Sequence, residues 1–370
     1  MIPIYQPYLP VSCLNFAHDA LDSTWLSSQG KYIPMVTEKL QELLGVKYVL
    51  PVNNGTSACH LVAKCVAEKK HLSEVIVPNN VYVAAWNAFL FDFNYDLFAI
   101  DADLTTWNID LQELDRAIYQ HPHAAVLIVH NVGNIINVPQ LQQKYPNTVF
   151  VEDNCEGFLG TYEGSQSGTA SYASAISFFG NKNITCGEGG AFLTNDEEAY
   201  HFAKTTHAQG QSTQRFVHDK LGYNFRITNI QAAILYGQLQ ILPDILDMKE
   251  KIFDKYRQVL KNREDILIQS SPPNTQHANW MMGIRIPGHK NYQNAELYFK
   301  SNGVEIRPMF YPISAHKYLN NNYIVSWTNC NNATLLNNEC FILPSYPGLT
   351  SKEQSHILKT LEDYLITVER

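Results

Sequence analysis

No apolar run among the 370 residues approaches the roughly 20 that a bilayer span requires. The opening Met1-Ile2-Pro3-Ile4-Tyr5-Gln6 lacks the basic and apolar regions of a signal peptide, so a cytoplasmic location is expected. Basic residues are outnumbered, 27 Lys and Arg against 35 Asp and Glu, giving a formal net charge of −8. That balance provides no electropositive footprint for nucleic acid, and an anionic nucleotide would need local contacts. The seven cysteines show no C-x-x-C spacing and no pairing with nearby histidines, which argues against a disulfide frame or a zinc site. Cys155 and Cys186 fall inside the motifs described below but have no histidine partner in sequence, so they read as ordinary thiols. Internal repeats are absent, and Asn320-Asn321-Asn322 is too short to count as low complexity. Gly187-Glu188-Gly189-Gly190 lacks the G-x-G-x-x-G spacing of a nicotinamide-binding turn.

With 45% hydrophobic residues the chain can bury a large core, and its length suggests two domains. Short helices are expected over 14–21 and 36–44, a strand at 48–52, and a helix over 56–69 with Leu61, Val62, Cys65 and Val66 on one face. Strands at 75–78, 97–101, 125–130 and one ending at Asp153 alternate with helices over 82–91 and 111–119. Continuous apolar strands separated by amphipathic helices imply an α/β fold with a mostly parallel sheet covered on both faces. A long helix passes through Leu235, Leu239 and Leu242. Beyond it the pattern changes to a charged helix over 248–261, a strand at 280–286, a helix near 295–300, a segment 304–308 and a last helix over 351–367. The expected division is a large domain, 1–245, and a small C-terminal α+β domain, 246–370.

Residues 174–196, S-A-I-S-F-F-G-N-K-N-I-T-C-G-E-G-G-A-F-L-T-N-D, read as strand, sharp loop, strand. Gly187, Gly189 and Gly190 would permit backbone angles that other residues avoid. The single Lys182, held between two buried strands, loses water around its ammonium, which favours a free amine of the Schiff-base kind. Upstream, Val149-Phe150-Val151-Glu152-Asp153-Asn154-Cys155-Glu156 is a β-branched strand ending in carboxylates. Asn53-Asn54-Gly55-Thr56-Ser57-Ala58 opens a helix, where backbone N–H groups and two hydroxyls suit a phosphate dianion, or the hydroxyls simply cap the helix. A phosphate cradle, a carboxylate at a strand end and a buried lysine are the anchors that pyridoxal 5′-phosphate (PLP) needs.

In this order these motifs resemble the fold-type I PLP enzymes and, within them, the DegT/DnrJ/EryC1/StrS sugar aminotransferases. The resemblance extends over nearly the whole chain and includes Gly222-Tyr223-Asn224-Phe225-Arg226-Ile227-Thr228-Asn229-Ile230-Gln231-Ala232-Ala233 and Arg307-Pro308-Met309-Phe310-Tyr311-Pro312. It implies a large α/β/α cofactor domain, with residues 1–35 at the active-site entrance, and a smaller C-terminal domain. It implies that Lys182 and Asp153 are catalytic, that Thr56, Ser57 and Ser177 hold the phosphate, that Tyr82 stacks on the ring and that Glu156 lies near the ring hydroxyl. Asn224, with Arg226 as a weaker candidate, would reach the partner's phosphate across a homodimer. Trp25 and Ser27, in Thr24-Trp25-Leu26-Ser27-Ser28-Gln29-Gly30, would lie with Arg307 beside the substrate. On residue type alone, Trp25 could equally pack on the core, Thr228 could cap a helix and Arg307 could be a surface ion-pair residue. His130 is treated as structural. The family usually has Leu-Tyr-Gly after this histidine, and Asn131-Val132-Gly133 stands here instead.

The activity implied is transfer of an amino group from L-glutamate to C4 of a nucleotide-linked 4-keto-6-deoxyhexose, of the perosamine or viosamine type used in O-antigen and other glycan biosynthesis. A 3-keto sugar aminotransferase and a PLP-dependent sugar dehydratase of the same fold are alternatives, although such dehydratases carry histidine where Lys182 stands. A PLP-binding scaffold without turnover is the non-enzymatic alternative. The nucleotide and the configuration at C4 stay open.

Overall fold

The computed structural model describes residues 1–93, 95–319, 323, 325–327 and 330–368; the Asn320-Asn321-Asn322 run lies outside them. Its centre is an eight-stranded sheet made of β1 (Tyr48–Val52), β2 (Glu74–Pro78), β3 (Asp96–Ile100), β4 (Ala125–Val129), β5 (Phe150–Asp153), β8 (Ala173–Ser177), β9 (Gly190–Thr194) and β13 (Val325–Trp327). The strand order is β1-β9-β8-β5-β4-β2-β3-β13, and only β9 runs against its neighbours. Successive side chains alternate between faces, so both faces need apolar residues. Val75, Val77, Leu127 and Val129 join Leu61, Val62, Trp86 and Phe89 in one core. Ile76, Val126 and Ile128, from the same strands, join Leu114, Ile118 and Leu141 in the other. The expected sheet, mostly parallel with helices on both faces, is what forms.

Element boundaries differ where chemistry at the ends decides them. The helix expected from Thr56 spans Gly55–Lys70, because the Asn54 side chain accepts the Ser57 amide and caps it one residue earlier. Tyr82 precedes rather than starts its helix, Ala84–Leu90. The long helix through Leu242 is two helices, Asn229–Gln240 and Leu242–Leu260, and the second continues without interruption through the expected charged helix. Pro243 has no amide hydrogen to extend the first helix, which explains the break. Thr228 caps Asn229–Gln240 through a capping box with Gln231, as its residue type suggested. The expectation for 280–286 contracts to β11, Met282–Arg285. Helices Val138–Lys144, Glu197–His207 and Asn331–Glu339 were not anticipated.

Two small sheets complete the fold. One pairs β6 (Thr161–Tyr162), β7 (Ser165–Gln166) and β10 (Thr275–Gln276); the other has the order β11-β14-β12, with β14 at Cys340–Leu343 and β12 at Arg307–Pro308. The second packs on helices Leu242–Leu260, Tyr292–Ser301 and Ser351–Val368 through Phe253, Tyr256, Ile284, Phe299, Phe341 and Leu361. Among the described residues, no helix is long and apolar enough to cross a membrane.

Beneath the carboxyl edge of the sheet lies a fully buried pair. His130 Nδ1 accepts the Ile136 amide at 3.1 Å, so Nε2 carries the proton and donates to Glu152 Oε1 at 2.9 Å. Glu152 also accepts the amides of Gly168 and Ser171. Burial by itself raises this carboxyl, but the bonds from His130, Ser171 and Gly168 outweigh it and hold the group below the ordinary glutamate range. A depressed carboxyl stabilises the fold fully above its unfolded pKa and loses that contribution as pH falls through its folded one. Glu152→Ala is therefore expected to cost at least about 1–3 kcal/mol of unfolding free energy, the usual loss when a buried donor, here the His130 N–H, is left unsatisfied. Glu152→Gln should flatten the acid limb of stability, with denaturant unfolding at a series of pH values as the measurement.

Candidate active site

The parallel strands all end at one edge of the sheet, and the loops beyond that edge enclose a cavity of about 420 Å³. Its wall is drawn from the turn after β1 (Asn54, Gly55, Thr56), the segment after β2 (Tyr82), the end of β5 (Asp153, Cys155, Glu156) and the β8–β9 connection (Ser177, Phe179, Asn181, Lys182). Trp280, Arg307 and Phe310 close it from the C-terminal part of the chain.

The start of helix Gly55–Lys70 forms one end of the cavity. Asn54 takes the Ser57 amide at 2.8 Å and the Asn54 carbonyl takes that of Ala58, so these donors are used internally. Those of Gly55 and Thr56 are helix-start amides without intrahelical partners, on residues in the cavity wall. Gly55 is needed for space: a Cβ there would stand 2.8 Å from the Ser177 Cβ. Ser177 Oγ accepts the Phe179 amide at the turn out of β8.

Lys182 falls, as expected, in the loop that joins two buried strands, β8 and β9. It sits half-buried in the connection from β8 to β9, with its ammonium 4.0 Å from the centroid of the Trp280 ring, so an indole face takes the place of water. The loop is pinned on several sides: Tyr5 donates to the Lys182 carbonyl at 2.6 Å, the Trp280 indole N–H to the Asn181 carbonyl at 2.9 Å, and the Asn183 amide group to the Ala278 carbonyl at 2.7 Å. Lys249, fully buried and pushed well below its ordinary range by that burial, donates to the backbone carbonyls of Trp280 and Ser345. The three glycines act differently from expectation. Only Gly187 has a left-handed φ, +86°, while Gly189 and Gly190 are needed for space, since Cβ atoms there would lie 2.4 Å from Cys186 Sγ and 2.7 Å from the Asn54 carbonyl.

Asp153, buried at the end of β5, accepts the Cys155 amide at 3.0 Å. Glu156 accepts the Val132 amide at 2.7 Å, and burial pushes its carboxyl up to about 7 against the opposing charge of Lys182 and the Val132 bond. Val132, where the family usually has tyrosine, is buried with φ +59°, a strained angle for a β-branched residue that turns its amide toward Glu156. Tyr82 tilts against Phe310 with ring centroids 6.2 Å apart.

Thr56, Tyr82, Asp153, Glu156, Ser177, Lys182 and Arg307 are thus brought into one wall. Ser57 is not in that wall, and its amide is committed to the Asn54 cap. Trp25, Ser27 and Asn224 also lie outside the cavity. Trp25 is 59% exposed and does not pack on the core; its carbonyl and that of Ser27 accept bonds from Asn229. Asn224 is exposed, and its carbonyl accepts from Asn53. Arg226 donates to Ser28 Oγ at 3.1 Å. Sequence reading missed Asn54, Cys59, Glu188, Trp280 and Phe310. Phe310 lay within a quoted motif, whereas nothing local marked Trp280, which stands just before β11 and so escapes the strand's alternation.

Residues 12–362 match the model of the DegT/DnrJ/EryC1/StrS aminotransferase family. The chain is 31% identical over 373 residues to GDP-perosamine synthase of Escherichia coli O157:H7, covering 98% of both chains. It is 30% identical to GDP-perosamine synthase of Vibrio cholerae, covering 98% of this chain and 99% of that one. In fold it is similar to E. coli GDP-4-keto-6-deoxy-D-mannose-3-dehydratase with bound hydrated PLP, at a TM-score of 0.90, 21% identity and coverage of 98% and 99%. With its motifs gathered around one cavity, the chain belongs to the DegT/DnrJ/EryC1/StrS aminotransferase family.

Proposed function

We propose that this chain is a PLP-dependent aminotransferase that moves an amino group from L-glutamate to C4 of a GDP-linked 4-keto-6-deoxyhexose. The observation that carries the reading is that Lys182, Asp153 and the start of helix Gly55–Lys70 share one cavity wall. The GDP-perosamine synthases among its relatives support GDP as the nucleotide and C4 as the position.

The residues present fit PLP. A helix start with free amides suits its phosphate, a buried carboxylate suits its ring nitrogen, and a half-buried amine suits its aldehyde. When bound, PLP supplies an electron sink for the carbon that loses or gains a proton. In this reading Lys182 Nζ anchors the cofactor and carries the proton at the substrate carbon. Asp153 holds the proton on the ring nitrogen. Thr56 and Ser177 hold the phosphate, Tyr82 lies on the ring, and Glu156 faces the ring hydroxyl. Arg307 binds the sugar nucleotide. Asn224, Trp25 and Ser27 are exposed and outside their own cavity, which supports a homodimer in which they serve the partner's site. Residues 1–245 would form the cofactor domain and 246–370 the small domain, and the seven free thiols accord with a reducing, cytoplasmic setting.

Incubated with PLP, the protein should show the visible absorption of the bound cofactor, lose it with L-glutamate and regain it with the GDP-linked keto sugar. Lys182→Ala should slow turnover by about 10²–10⁴-fold or more and abolish borohydride-stable cofactor attachment by mass spectrometry. Normal turnover by that variant would overturn the assignment. Glu156 generates a further test. A carboxyl raised to about 7 keeps a proton that the unfolded chain releases, so cofactor-free protein should lose stability as pH rises from the ordinary carboxylate range to about 7. Glu156→Gln should remove that loss, a gain of about 3 kcal/mol above neutrality, read by denaturant unfolding at a series of pH values.

A further inference from the structure

Three groups of the cavity wall converge on one point. The Cys59 and Cys155 thiols and an Asp153 carboxylate oxygen all lie within 4.8 Å of one another. They come from separate backbone placements: Cys59 from helix Gly55–Lys70, Asp153 from the end of β5, and Cys155 from the segment beyond it. The Cys155 amide bonds Asp153 Oδ1 and keeps the carboxylate beside that thiol. Gly55 leaves room for the cluster, since a Cβ there would press on Cys155 Sγ at 3.2 Å.

Two thiols and a carboxylate form a donor set for a zinc-like ion. Zinc–sulfur bonds of about 2.3 Å and zinc–oxygen bonds of about 2.0–2.2 Å, arranged tetrahedrally, place ligand atoms roughly 3.5–3.8 Å apart. Binding an ion there requires side-chain rotation to close the remaining distance. We propose that in the cofactor-free chain Cys59, Cys155 and Asp153 bind one Zn²⁺-class ion, with cavity water in the fourth position, and that this ion and PLP exclude each other at Asp153. Each thiol gives up one proton to solvent on binding. Coordination to a dication replaces those protons, and Lys182, in the same cavity wall, offsets the charge of the resulting thiolates. The exclusion rests on the function proposed above; the metal binding does not.

The test is titration of the full chain, stripped of PLP, with Cd²⁺, followed by thiolate-to-metal absorption in the ultraviolet. One equivalent should bind, and Cys59→Ser or Cys155→Ser should each weaken binding by at least about 10-fold with the other five cysteines intact. Cys59→Ala and Cys155→Ala serve if a serine variant does not fold by circular dichroism. Preloading wild-type protein with Cd²⁺ should slow PLP uptake by about 10-fold or more, reversed by a chelator. Absence of the band at one equivalent, or a band unchanged in both cysteine variants, overturns the site. PLP uptake at an unchanged rate in the Cd²⁺-loaded chain overturns the exclusion. A chain that binds Cd²⁺ as stated yet never takes up PLP supports the metal site and overturns the function.

Discussion

The site depends on how closely two pieces of backbone approach at the carboxyl edge of the sheet. β9 is inserted against the direction of its neighbours, between β1 and β8, and its first residue, Gly190, packs against the Asn54 carbonyl. One residue on from Asn54, Gly55 packs against Ser177 at the end of β8. A side chain at either position would push the helix start away from the lysine-bearing connection. With hydrogen atoms there, a helix N-terminus, a strand-end carboxylate and an amine fit into one cavity.

A second constraint holds the lysine loop from residues distant in sequence. Tyr5 bonds the Lys182 carbonyl, Ala278 takes the Asn183 side chain, and Trp280 both covers the ammonium and bonds Asn181. Trp280 is itself held by Lys249, a buried amine satisfied in the described contacts by two backbone carbonyls. Burying such a group is costly unless its bonds are made. The C-terminal part of the chain therefore contributes directly to the placement of Lys182, and Arg307 and Phe310 extend the same wall.

Much of this was legible before the fold was known. The all-apolar β4 announced a strand buried on both faces, and the amphipathic segments between strands announced the helices that cover them. Asp153 at a strand end and Lys182 in a glycine-rich turn pointed to the cavity. The reasons given for some residues did not hold. Gly189 and Gly190 looked like turn glycines and are spacing glycines. Lys182 looked shielded by strands and is shielded by an indole. The helix through Leu242 looked continuous there and breaks at Ile241, ahead of Pro243. Ser57 looked like a ligand facing the cavity, but its amide belongs to the Asn54 cap.

Local pattern therefore determined the central strands, most of the helices that cover them, and the motifs that identify the family, because these depend on period, polarity and backbone freedom within a few residues. Tertiary structure alone decided that β9 lies between β1 and β8, that Trp280 covers Lys182, and that Cys59 meets Cys155 and Asp153. Those contacts join residues as far apart in sequence as Tyr48 and Thr194, and no spacing along the chain encodes them. They arise from close packing between elements, where a hydrogen in place of a methyl group determines which backbones can meet.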